Sequence, residues 1–130
     1  MNLPKNAEER KACPIATGFL DYFPDAVAAV ASVSFAATAQ HHPEKGMHWD
    51  RSKSFDEADA MLRHFMERGT LDGDGQRHSA KMTWRALALL QKEIEAERAA
   101  HTTALGLGNT QTTTAPSFQL PLQFPTGNIG

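Results

Sequence analysis

Cysteine is almost missing from this chain: Cys13 is the only one in 130 residues. That excludes an intrachain disulfide, argues against a thiolate zinc site and fits a reducing cytoplasm. No apolar run approaches the roughly 18 residues that span a bilayer. The N-terminal MNLPKNAEERKACP is too polar for a secretory signal. Neither a membrane partner nor export is therefore expected. A strong excess of one charge is lacking too. The net charge of −2 argues against general nucleic-acid binding, which usually shows a basic excess, but leaves room for a local basic pocket that takes a small phosphorylated ligand. There is no GxSxG, no phosphate-binding glycine loop and no Cys–His catalytic arrangement. No histidine pair has the HExxH spacing of a helical zinc site.

Helical periodicity is what remains. The length suits one domain, divided into a helical part over residues 1–101 and a low-complexity tail over 102–130. The expected fold is all-α, a three-helix core containing an antiparallel helical hairpin, with an extended or disordered tail. So small a domain buries a modest core and gains from self-association. A short helical turn over Glu8, Glu9, Arg10 and Lys11 is ended by Pro14. A first long helix runs over 24–39. Pro24 suits its first position and Asp25 its positive end, and Val27, Val30, Ala31 and Ser34, widened by Val33 and Phe35, form its apolar face.

Residues 40–53 read as a loop broken by Pro43 and Gly46. Ser54-Phe55-Asp56-Glu57 reads as a capping box, with Ser54 accepting from the Glu57 N–H and Glu57 reaching back to the Ser54 N–H. The second helix then runs to Arg68 and stops on a left-handed Gly69. Its apolar stripe is Phe55, Ala58, Leu62, Phe65 and Met66, with an Asp59–Arg63 surface pair. The two Asp-Gly dipeptides of 72–75 mark turns with positive φ. The stretch lacks the later ligands of a calcium loop. A third helix runs from Ser79 to about residue 100, with Trp84, Leu87, Ala88, Gln91 and Ile94 in one line. In the tail, Phe118, Leu120, Leu122 and Phe124 alternate with other residues, as in an arm laid on a neighbouring subunit.

A hairpin of the second and third helices gathers side chains at one end. From the loop come His48, Trp49, Arg51 and Lys53. From the hairpin come His64, Arg68, Asp74, Arg77, His78, Lys81 and Arg85. Guanidinium forks and ammonium groups suit phosphate, and an indole face suits a base. These are the expected ligand-binding residues, with no catalytic residue and no metal assigned. A mixed site of His64 and His78 with Asp59, Asp72 or Asp74 is the metal-binding alternative.

Several of these pieces, in order, resemble one family. They are His48-Trp49, residues 60–64 (AMLRH), 72–75 (DGDG), 77–81 (RHSAK) and 84–90 (WRALALL). Over roughly residues 10–95 the chain resembles the phage dATP/dGTP diphosphohydrolase N-terminal domain family. Trp49, His64, Asp74, His78 and Trp84 are the family-like positions, carried over without roles. The resemblance implies a phage origin, action in the host cell cytoplasm and work on purine nucleotides. In longer relatives this domain precedes a MazG-like pyrophosphohydrolase whose magnesium is held by paired ExxE and ExxD motifs. Here no ExxE is followed by an ExxD, and the chain ends where that domain would begin.

The resulting expectation is a homo-oligomer that binds a purine nucleotide or nucleotide-derived signal without hydrolysing it, as in sequestration of a host defence messenger, and needs no cofactor. The alternatives are a dATP/dGTP diphosphohydrolase using magnesium or manganese, and a structural or interaction module with no small ligand.

Overall fold

The computed structural model describes residues 3–106, and the elements in them are helical. In chain order they are α1 (Ala7–Lys11), α2 (Ile15–Gly18), α3 (Pro24–His41), α4 (Glu57–Met66) and α5 (His78–Ala104), with short 3-10 turns at Leu20–Tyr22 and Arg51–Lys53. Beyond these, one isolated antiparallel bridge joins Leu71 to Arg77. The expected tail arm, with Phe118, Leu120, Leu122 and Phe124, lies outside the described residues.

Local chemistry accounts for the helix starts. Asn6 Oδ1 accepts the Glu8 N–H at 2.9 Å and opens α1. Pro24 begins α3, where its missing N–H costs nothing. That helix continues to His41, two residues past the expected end.

The start of α4 departs from the capping box. The helix begins at Glu57 rather than directly after Ser54, because a tertiary contact has taken the groups the box needs. The Ser54 N–H donates to the Arg51 carbonyl. The Ser54 hydroxyl donates to the Glu57 carboxylate, and the Lys92 ammonium from α5 donates to the Ser54 carbonyl and, at 2.8 Å, to Glu57 Oε1. Asp59 does not pair with Arg63; Arg63 reaches Asp56 Oδ2 instead, at 2.8 Å. The helix ends at Met66, earlier than Arg68. Gly69 does take the left-handed conformation (φ 85°), but within the turn that follows. Of the two Asp-Gly dipeptides only the second has a positive-φ glycine, Gly75 at 79°. Asp72 Oδ1 accepts the Gly73 N–H and Asp74 Oδ1 the Gln76 N–H, and these bonds shape the turn.

The antiparallel hairpin of α4 and α5 is present. Its pairs run in opposite senses, with His64 meeting His78 and Glu57 meeting Lys92. α3 joins α5 through Trp84 Nε1, which donates to Ser34 Oγ at 2.8 Å, and Ser32, whose hydroxyl donates to Gln76 in the preceding turn.

The expected apolar stripe of α4 does not form its packing face. Phe55 is 84 % exposed and Met66 76 %, and Leu62 and Phe65 are exposed as well. Glu57, Ala60 and His64, spaced three and four apart, turn towards α5. Phe35 is likewise exposed on α3. Among the described residues the buried apolar side chains are Ala60, Ala80 and Ala88, and no large side chain is completely buried. Small residues let the helices approach, and polar pairs help to join them.

Candidate functional site

A cavity of about 720 Å³ opens between the C-terminal half of α3, the loop that follows it and the inner faces of α4 and α5. That volume lies in the range of about 300–1,000 Å³ typical of small-molecule sites. Three helices, a loop and a turn build its wall. α3 contributes Ser34, Thr38 and His41 at helical spacing, a polar line on an alanine-rich helix. The segment between α3 and α4 supplies His42 just after the helix, His48, Trp49 and Asp50 beyond the Pro43 and Gly46 breaks, and Lys53 from the 3-10 turn. His64 comes from α4, Asp74 from the turn, and Lys81, Trp84 and Arg85 from the first turns of α5.

The two tryptophans meet edge to face, ring centres 5.6 Å apart and planes at 75°. Arg51 stacks on the outer side of Trp49, 4.1 Å from its ring centre, and pairs with Glu95 at 3.0 Å. The Trp49 indole N–H is buried without an acceptor among the described residues. Cations and indoles are interleaved here, with the Arg85 guanidinium 5.6 Å from the Trp84 ring centre. Lys53, Lys81 and Arg85 line the cavity together with Asp50 and Asp74, and four imidazoles can add hydrogen bonds. Asp72 and Asp56, outside the lining, stand 2.6 Å from Lys81 and 3.8 Å from Arg85, so carboxylates balance these cations.

Not every cation is free. Lys81 donates to Asp72 Oδ2 at 2.6 Å and to Asp74 Oδ2 at 2.7 Å. Burial would lower the Lys81 pKa, but these two carboxylates more than offset it and hold it above the usual lysine value. The Lys81 ammonium, helped by the Gly73 N–H, holds Asp72 below its ordinary range, and with the Gln76 N–H it does the same for Asp74. Arg85 is more available, 3.8 Å from Asp56. Burial lowers the pKa of His64, and the neighbouring His78 and Lys81 lower it further.

No family model, curated protein or solved structure matches this chain. The geometry therefore carries the functional argument.

Seven of the residues expected from sequence share the cavity: His48, Trp49, Lys53, His64, Asp74, Lys81 and Arg85. Four do not line it. Arg51 is behind Trp49. Arg68 folds back over the Phe65 ring at 4.4 Å and donates to the Phe65 carbonyl. Arg77 stands at the exposed turn just before α5. His78 is buried behind His64, the two Nδ1 atoms 2.9 Å apart. Each departs because a nearer partner, or the direction of the turn, takes its side chain or position. The cavity also holds residues outside the expected set, chiefly Ser34, Thr38, His41, His42 and Trp84. For Ser34, Thr38 and His41 the signal is the polar line at i, i+4 and i+7 on α3, which burial of a conventional apolar face would not require; His42 and Trp84 carry no such local signal.

Proposed function

We propose that this protein binds a purine nucleotide or a nucleotide-derived signal in the cavity and releases it unchanged. The observation that carries this reading is the single hollow in which two indoles, four imidazoles and three cations meet. A purine ring has a π face for Trp49 and Trp84, with stacking worth about 1–3 kcal/mol per base. Lys53 and Arg85 suit its phosphate, Lys as a point charge and Arg as a planar fork. Ser34, Thr38 and Gln40 offer polar groups to the sugar and base edges. Against hydrolysis by a carboxylate-held magnesium stands the engagement of the nearby carboxylates. Asp74 is held by Lys81, and Asp50 by the Ser52 hydroxyl at 2.5 Å. The resemblance to the phage family makes a phage protein that sequesters a host defence messenger the biological form of this proposal.

A homo-oligomer belongs to the same proposal. Its support is the outward apolar stripe of α4 together with Leu87 and Leu90 on α5. Among the described residues the buried apolar side chains are three alanines, a modest core for a domain that must offset its folding entropy. A second copy that covers these stripes would add to that burial.

Mass spectrometry of the small molecules retained after gentle purification tests the binding reading. A stoichiometric purine nucleotide, released intact on denaturation, is the expected result. Release of a hydrolysed product after loading with dGTP or dATP would replace this reading with the diphosphohydrolase one.

A further inference from the structure

Behind the cavity wall, three side chains from three segments converge. His64 lies near the end of α4, Asp72 in the turn and His78 at the first residue of α5. One ligand atom from each lies within 4.8 Å of the other two. The imidazoles face each other through Nδ1, 2.9 Å apart, with ring centres 5.2 Å apart and planes at 44°. His78 is buried, and His64 and Asp72 are partly so. Glu67 Oε2 stands 3.3 Å from His78 Nδ1 on the exposed side. From these positions we propose that His64, Asp72 and His78 form a binding site for a first-row transition-metal dication such as zinc.

The donor chemistry supports a metal of this kind. Two imidazole nitrogens and a carboxylate oxygen are a known ligand set for zinc and its neighbours. The site is too poor in oxygen for calcium and offers magnesium too few carboxylates. A ligating imidazole must be neutral, so metal binding displaces any proton it holds. Without a metal, the two Nδ1 atoms can satisfy each other only by sharing one proton between them. A metal uses both lone pairs at once.

The obvious competitor is the Lys81 ammonium, which already neutralises Asp72. Asp74 answers it, because Lys81 is bound to both carboxylates. Asp72 can turn to a metal and leave the ammonium on Asp74. Loading is therefore expected to be tighter in Lys81→Met, a direction opposite to that of a ligand substitution. The site stands independently of the nucleotide reading, although His64 borders both.

The test uses the full chain and Co²⁺ alone, read by its visible d–d absorption, with Zn²⁺ as displacer. The proposal expects one Co²⁺ per protomer, displaced by zinc. Asp72→Asn keeps an oxygen for the Gly73 N–H and removes the anionic ligand. It should weaken binding by at least about tenfold, since even outer-shell partners cost about 10–100-fold. His64→Ala should weaken it further, with circular dichroism confirming the fold. His78 is too buried to serve as the test position. Absence of stoichiometric Co²⁺ absorption overturns the proposal. So does binding that survives Asp72→Asn unchanged but disappears in His42→Ala, which would place the ion on the loop, where the His42 and His48 rings lie 5.1 Å apart.

Discussion

Lys92→Met is the substitution that most sharply probes how the hairpin is held. Glu57 is 4 % exposed in its side chain and receives the Lys92 ammonium at 2.8 Å, beside the Ser54 hydroxyl. Burial would raise the Glu57 pKa, but Lys92 and Ser54 more than offset it and hold it below the usual glutamate value. Methionine has nearly the same length and no charge, so it leaves a buried carboxylate with one hydroxyl donor. Removing one partner of a buried ion pair costs about 3–5 kcal/mol. Lys92 is 27 % exposed in its side chain, so water can partly replace it. That puts the expected loss near the low end, about 3 kcal/mol.

A domain of this size has a total stability of roughly 5–15 kcal/mol, so the loss would be a large share of the whole. At about 4–8 °C per kcal/mol, the thermal midpoint should fall by roughly 12–24 °C. The assay is thermal unfolding followed by circular dichroism at one fixed protomer concentration, since association also shifts the midpoint. The double variant Glu57→Leu with Lys92→Met removes both charges and should recover most of the loss. A single variant within about 0.5 kcal/mol of the parent, the range of an ordinary surface change, would refute the burial of Glu57 between the two helices.

Other outcomes follow from the same geometry. Trp49→Ala should weaken purine-nucleotide binding by about 1–3 kcal/mol, the worth of one stacked base, measured by isothermal titration; unchanged affinity would remove the indole from the site. Stability should fall as the pH drops below 6.5, the ordinary histidine value, through the lowered value of His64. In that window the unfolded chain binds the proton and the folded one does not, so His64→Gln should flatten the slope of thermal midpoint against pH. Leu62→Asp combined with Met66→Asp, both on the outward face of α4, should lower the oligomeric mass seen by sedimentation equilibrium; an unchanged mass would show that this stripe is not the interface.

The helices were readable from sequence because their signals are local. Pro24, Gly69 and the polar turn around 72–75 punctuate the chain wherever its neighbours go. Which side of each helix faces inward was not readable. Phe55, Leu62, Phe65 and Met66 have the spacing of a core stripe, yet α4 packs through Glu57, Ala60 and His64, because Lys92 and His78 sit opposite as polar partners. A single-helix pattern carries no information about the residue opposite it. The site follows the same division. His48, Trp49, Lys53, His64, Asp74, Lys81 and Arg85 gather because a hairpin must bring its ends together. Arg51, Arg68 and His78 leave the cavity because Glu95, Phe65 and His64 hold them. The polar line of Ser34, Thr38 and His41 marks one side of α3 in the sequence, but its meeting with Trp84 is a long-range contact that no local spacing announces.

Both tryptophans of this chain stand in the cavity wall, so intrinsic indole fluorescence is sensitive to what enters this cavity. Titration with purine nucleotides of each phosphorylation state should give saturable quenching at one equivalent per protomer, weakened when Lys53 and Arg85 are replaced by alanine. Fluorescence that stays flat for every nucleotide, with no heat in the matching calorimetric titration, would contradict the account.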